Sequence, residues 1–441
     1  MRRYQSWGRF PRATHDVVAM HWRDAALPIR DDKTMLPFGN GRSYGDCCLN
    51  DRGILVDARP LDRFVSFDAQ TGVLRCEAGV LLAEVLDLSV PHGWFIPVTP
   101  GTQFVTIGGA IANDVHGKNH HRAGTFGRYV ERFELLRSDG TRLSCSRSEN
   151  AAWFTATIGG LGLTGLITWA EIRLKPIAGP MIDVETIRYA RLDDFFALSG
   201  ESDRDYEYTV AWVDCAARGR ALGRGLFMRG NDVAGPSGAR SASRTRLAVP
   251  FDPPFAIVNG SNVRLFNALY YRRQRRERVR TAVHYSSFFY PLDAIGQWNR
   301  IYGANGFLQY QCVIPHAHAH AAIVEMLERI AAANTGSFLA VLKVFGDLPS
   351  PGLLSFPRPG TTLALDFPNR GKATLALLDR LDDITLAAGG AVYPAKDARM
   401  SAQTFEGSFP RWRELEPFID PRFSSSLWRR VAGARSEVPA L

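Results

Sequence analysis

The chain runs to 441 residues, 46% hydrophobic and 22% charged; this balance excludes a disordered polymer and fits two or three domains, or one two-domain enzyme with a large core. A net charge of +9 and a pI near 9.4 favour anionic partners without naming one. Cys47, Cys48, Cys76, Cys145, Cys215 and Cys312 show neither CxxC spacing nor scaffold density, no stretch reaches the roughly 18 apolar residues of a spanning helix, and no apolar core follows the basic start, so the expectation is a cytoplasmic protein with free thiols that at most touches the inner membrane.

In chain order, periodicity predicts strands over 54–58, 72–78 and 165–175 and helices over 81–90 and 151–157. Strands and helices mixed without a strict βαβ rhythm indicate α+β. Lys175-Pro-Ile-Ala-Gly-Pro180 marks a boundary. Beyond it come strands over 182–189, 206–214 and 221–229, with a helix starting at Arg191. Residues 230–260 are rich in Gly, Ser, Pro and Arg, a long connection of the functional-loop type. Then follow a strand over 307–314, a helix over 317–333, strands over 338–345 and 361–367, and a helix over 372–388. The expected domains are 1–178, a cap over 179–390, and a return segment over 391–441.

Three segments break the apolar periodicity. Pro37-Phe-Gly-Asn-Gly-Arg-Ser-Tyr-Gly-Asp46 strings together small or polar residues with free N–H groups, as a pyrophosphate-binding turn requires. It misses the dinucleotide fingerprint, whose third glycine would fall at Tyr44, and it lacks the Walker ending. The stretch from Gly108 to His121 carries three glycines, three histidines and a lysine, with no period after Ile111. His116 and His120 stand four apart, but Gly117 weakens a zinc helix and sits where the metalloprotease pattern needs Glu, so no metal is expected. Gly160-Leu-Gly-Leu-Thr-Gly165 matches G-x-G-x-x-G yet leads into a strand instead of opening a helix. It reads as a ligand cradle that is not a Rossmann cradle.

Two arginine patches supply much of the charge: seven arginines against Asp232 over 218–246, and the run 272–280 at the tail of an amphipathic helix begun by Val263, Phe266 and Tyr270. A solvated helix end and a phosphate-bearing or anionic-lipid partner both remain open. Nucleic acid is not expected, because no aromatic–basic repeat accompanies the arginines. In the cap, period two places Gln309 and Gln311 on one strand face, and Lys343 with Leu339, Val341 and Phe345 on another. If that sheet roofs a ligand site, Gln309, Gln311 and Lys343 are its polar lining.

Gly-Arg-Ser-Tyr-Gly-Asp46, Thr99-Pro-Gly-Thr102, Gly108-Gly-Ala-Ile-Ala112, His116-Gly-Lys-Asn-His-His121, Ala123-Gly-Thr-Phe-Gly127, Phe307-Leu-Gln-Tyr-Gln311 and Tyr393-Pro-Ala-Lys-Asp397 together resemble flavoproteins of the vanillyl-alcohol oxidase type. Within them the chain is similar to the decaprenylphosphoryl-β-D-ribose 2′-oxidase family, across nearly its whole length. The resemblance implies a PCMH-type FAD-binding domain of two α/β subdomains with an inserted α+β cap built on an antiparallel sheet. It implies FAD held by Phe38, Gly39, Asn40, Gly41, Arg42, Ser43 and Tyr44, with Gly101, Thr102, Gly108, Gly109, Asn113, His116, Gly117, Gly162, Gly165 and Tyr393. Lys396 is implied as the cation beside the flavin ring; Tyr44, His116 and Lys118 are implied in substrate or proton handling. Tyr290, Thr362 and Ala364 join the substrate contacts. The first loop has no histidine, so the flavin is expected to be noncovalent. Ala364 stands where mycobacterial members carry cysteine, which puts the precise sugar in doubt.

The implied activity is oxidation of a secondary hydroxyl of a polyprenyl-phosphate-linked pentose to a keto sugar, with a short-chain reductase partner completing an epimerisation. Two further readings are a soluble aldonolactone or sugar-alcohol oxidase, and a non-catalytic basic lipid- or nucleic-acid-binding protein.

Overall fold

The computed structural model describes residues 4–235, 247–253 and 258–433. Three sheets organise them. Asp16–Ala19, Ile54–Asp57 and Met35–Phe38 form a small parallel sheet with Ile54–Asp57 in the centre. That central strand is buried along its whole length, as expected of a parallel strand covered on both faces. Phe64–Asp68, Val73–Glu77, Leu166–Arg173, Val130–Leu136 and Arg142–Ser146 build a five-stranded antiparallel sheet in that order.

The third sheet has eight strands, in the order Arg278–His284, Met181–Tyr189, Gly225–Val233, Tyr208–Val213, Ala340–Phe345, Gly360–Pro368, Phe307–Ile314 and Ala391–Val392. Every pairing in it is antiparallel. Strand alternation decides which residues go where. Leu308, Tyr310 and Cys312 pack into the main apolar core, as do Leu363, Leu365 and Phe367. That core also holds inner-face residues of helices His316–Ala332 and Lys372–Ala387. The opposite face carries Gln309, Gln311, Val341, Lys343, Ala364 and Asp366, and it roofs a cavity.

The fold is α+β, with helix Ala151–Thr157 and strand Phe307–Ile314 falling on the sequence-predicted spans. The strand expected over 221–229 instead spans Gly225–Val233, behind a short 3-10 turn at Gly219–Ala221 and a left-handed Gly223 (φ +73°). The expected helix tail over 272–280 is split: the helix is Gly260–Arg272, and Arg278–His284 is the outer edge strand of the large sheet. Of the first arginine patch, Arg224 pairs with Asp214 and Arg229 with Glu185, while Arg218 donates to Ala331 O. These arginines hold the fold together and do not form a free anionic-partner surface. Arg240, Arg244 and Arg246 lie outside the described residues, as does most of the 230–260 connection.

All six cysteines are free. Among the described residues no helix is long and apolar enough to cross a membrane.

Candidate active site

A cavity of about 380 Å³ opens where the three sheets meet, within the roughly 300–1,000 Å³ of small-molecule and cofactor sites. One side of it is the loop that leaves strand Met35–Phe38. Gly41 takes φ +59°, a left-handed value that favours glycine. Tyr44 N–H donates to Ala395 O at 2.9 Å, and a Cβ on Gly45 would stand 1.7 Å from Asp397 O, so this loop lies flat against the turn bearing Lys396. The N–H groups of residues 39–43 have no acceptor among the described residues. A run of unspent amides lining a cavity is an anion cradle. Gly101 faces open space, since a Cβ there would meet no atom within 4 Å. Gly108 and Gly109 also line the cavity, but their amides already donate to Ala78 O and Thr106 Oγ1. They contribute close approach and no free donors. Thr102, Asn113, Gly117, Gly162, Gly165 and Tyr393 complete this wall.

The roof is set by register. Gln309 lies opposite Asp366 and donates to its Oδ1 at 2.6 Å. Gln311 lies opposite Ala364, which in turn faces Val341. The amide of Gln311 donates to Thr362 Oγ1 at 3.1 Å and meets His116 Nε2 at 2.9 Å. Two expected substrate contacts are displaced. Thr362 sits behind Gln311 and is absent from the cavity lining, and Tyr290 turns its hydroxyl to Thr99 Oγ1 at 2.6 Å. Both therefore support residues that reach the cavity.

Lys396 Nζ lies 3.9 Å from the centre of the Tyr44 ring. Asp397 is not its partner: that carboxylate takes Arg430 at 3.0 Å and the N–H groups of Arg399 and Met400. Burial brings the Lys396 ammonium down to about 7, with Asp366 opposing and Lys343 reinforcing. Burial also brings Lys343 down to about 8, and lifts Asp366 to about 7 against the pull of Gln309 and Lys396. The surface these side chains expose faces the cavity, so desolvation governs them. His116 is held neutral, well below the usual imidazole range, by burial and then by Lys343, His120 and Lys396. With Nε2 accepting from Gln311, its proton sits on Nδ1, which has no partner among the described residues.

Burial, and then Lys343, brings Lys118 to about 7, but its ammonium is pinned to Phe288 O and to Phe289 O at 3.4 Å. Burial also raises Tyr44 far above the phenol range, so it stays protonated. Cys47 lines the cavity, and burial pushes its thiol up to about 12. No reactive thiolate therefore faces the cavity there. His116 lies in a bridge to Thr125 and the following helix begins only at His120, so the two histidines do not share a helical face.

Sequence reasoning missed Asp366, although the alternation that reaches Thr362 and Ala364 continues to it. It also missed the Arg42 environment. That guanidinium stacks 4.2 Å over Trp7, its Nε has no partner among the described residues, and burial lowers its pKa against the pull of Asp293. Asp293 comes from a distant loop that carries no periodic signal.

A family model described as an FAD binding domain matches residues 16–146. The chain is 36% identical to decaprenylphosphoryl-β-D-ribose oxidase of Mycolicibacterium smegmatis, over 98% of this chain and 97% of that protein. It is 35% identical to an uncharacterized protein of Streptomyces coelicolor over 80% of this chain and all of the other. L-gulonolactone oxidase of mouse is 29% identical over 34% of each chain. The unspent amides of 39–43, the open face of Gly101 and the unpartnered Arg42 Nε suit the pyrophosphate of FAD. A cofactor cradle joined to a roof of ionisable side chains thus accompanies near full-length similarity, and the chain belongs to the decaprenylphosphoryl-β-D-ribose oxidase family of FAD-dependent oxidoreductases.

Proposed function

We propose that this oxidoreductase removes hydride from a secondary hydroxyl-bearing carbon of a polyprenyl-phosphate-linked pentose, yielding a keto sugar that a separate short-chain reductase converts to the epimer. The observation that carries this reading is the meeting of Lys396, Asp366, Lys343 and the His116–Gln311 pair around one cavity. FAD, when bound, supplies the hydride acceptor. A lysine that gives up its proton near pH 7 is matched to taking the hydroxyl proton, and once charged it offsets negative charge developing beside it. Asp366 favours that charged form, and Gln309 fixes the carboxylate. Neutral His116 accepts from Gln311 and so holds that side chain in the cavity roof, where it can meet the sugar. Lys343 has no carboxylate partner among the described residues and suits the substrate phosphate. Residues 1–178 are read as holding FAD and 179–390 as holding substrate. The return segment 391–441 then brings Lys396 between them.

The same reading has FAD held without a covalent bond, because residues 39–44 carry no histidine and burial keeps the Cys47 thiol protonated. Acid precipitation should leave the yellow chromophore in the supernatant; flavin that stays with the pellet contradicts this. The same reading expects a cytoplasmic protein that at most touches the inner membrane. Turnover decides the substrate. The reading expects polyprenyl-phosphoryl pentose to be oxidised far faster than free pentose or an aldonolactone, since a remote anchor's binding energy positions the reacting hydroxyl. Equal rates would favour the soluble sugar-oxidase reading.

A further inference from the structure

Helix Gly260–Arg272 presents its apolar side to solvent. Its inner face is fixed by buried Val263 and by Asn267, which donates to Asp214 Oδ1 at 3.0 Å and Ser337 O at 3.3 Å. The helical period then turns Leu265 and Leu269 outward, where they are 63% and 60% exposed. An ordinary surface helix is polar there. Leu247, paired in a short parallel bridge with Ile295, and Phe251 are exposed as well. Of the ten large apolar side chains exposed among the described residues, three stand on this one helix: Leu265, Phe266 and Leu269.

The charge along this helix and the turn after it is almost all of one sign. Arg264, Arg272, Arg273, Arg275 and Arg276 are exposed and have no carboxylate partner among the described residues. Arg278 and Arg280, farther along, face Glu185 and Asp183. Glu277 is the one acid between residues 260 and 280. The helix also touches the site from behind. Val263 shares an apolar cluster with Trp298, Leu292 and Leu339, and the last three line the cavity.

We propose that the outer face of helix Gly260–Arg272 docks on an anionic lipid bilayer. The leucines enter the acyl boundary and the arginines contact lipid phosphates. Exposed aliphatic side chains framed by arginines without carboxylate partners are the composition of an interfacial helix. A bilayer at this face would present a lipid-borne sugar beside the cavity. That delivery role rests on the lipid-linked substrate reading, whereas docking does not.

The test uses flavin-loaded full-length protein in co-flotation with vesicles of phosphatidylglycerol and phosphatidylcholine, or of phosphatidylcholine alone. Wild type should float with the anionic vesicles only, and less as salt rises. Leu265→Ser with Leu269→Ser should lower the partition coefficient about tenfold or more while keeping the salt dependence. Changing Arg272, Arg273, Arg275 and Arg276 together to Gln should lower it by a similar factor and flatten the salt dependence. Bound flavin and turnover of a detergent-dispersed substrate should match wild type in both variants. Wild type that stays at the bottom of the gradient, or a leucine variant that floats as well as wild type, overturns the proposal. So does self-association abolished by the leucine changes without vesicle binding, which would assign the face to a second copy. Normal flotation with no oxidation of polyprenyl-phosphoryl pentose would leave docking intact and remove the substrate reading alone.

Discussion

Two cationic regions of this protein carry the same formal charge under opposite physics. The cavity draws on lysine: the chain's six lysines are Lys33, Lys118, Lys175, Lys343, Lys372 and Lys396, and Lys118, Lys343 and Lys396 line it. The outer helix and the turn after it draw on arginine alone. In the cavity, burial pushes the lysines down to between about 7 and about 8, so their charge responds to pH near neutrality. At the surface, guanidinium groups stay charged at any physiological pH, and salt is what weakens them. One region is built to switch protonation and the other to hold a constant field.

The sharpest way to break the comparison is Lys396→Ala. FAD should stay bound, while its reduction by substrate should slow by roughly 10²-fold or more, the cost typical of losing a preorganised charge stabiliser. Anaerobic stopped-flow bleaching of the flavin band measures this, and near-normal bleaching would demote Lys396 to a bystander.

Next in size is the stability of the apoprotein against pH. Unfolded lysine keeps its proton up to its ordinary 10.5, whereas folded Lys343 gives it up near 8. The unfolded state therefore binds more protons between those values, and stability should rise with pH across that window, by roughly 3 kcal/mol if Lys343 traverses it alone. Urea melts at a series of pH values should show that slope, and Lys343→Met should make it shallower, with the depressed Lys118 and Lys396 supplying what remains. A slope unchanged in the variant would place the titrating lysines elsewhere.

Asp366→Asn sharpens the contrast with a smaller shift. The carboxylate raises Lys396, so its removal should carry Lys396 lower and move the acid limb of the kcat/KM profile to lower pH by about one unit. An unmoved limb would disconnect the two groups.

The smallest effect belongs to the surface. Arg272→Gln with Arg273→Gln should leave unfolding stability within about ±0.5 kcal/mol, because both side chains are exposed and Arg273 meets only the half-buried Tyr270. Thermal melts at low and high salt check this. A larger loss would mean these arginines act inside the fold, as Arg224 and Arg229 do.

Much of this was legible from residues alone, wherever a local rule suffices. Period two along 307–314 sends Gln309 and Gln311 to one face, and the same rule sets Lys343 beside Val341. The glycine run at 39–45 announces an anion cradle, because only residues without Cβ fit such close backbone approaches. Local rules failed where partners come from afar. Arg218, Arg224 and Arg229 look like a free basic patch until Ala331, Asp214 and Glu185 arrive from other elements. Thr362 shares the strand face of Ala364, yet Gln311 intercepts it, and Tyr290, expected at the substrate from the resemblance, is taken by Thr99.

From residues alone came most of the elements, the α+β class and the cofactor cradle, since propensity, alternation and glycine sterics act within a few residues; the edge strand Arg278–His284 did not, because its pairing with Met181–Tyr189 is long-range. Only the tertiary structure decided that Lys396 would lie over Tyr44, that Asp366 would lean on it, and that three lysines would share one cavity. Those protonation states follow from desolvation, and a side chain loses its water only when segments distant in the chain close around it.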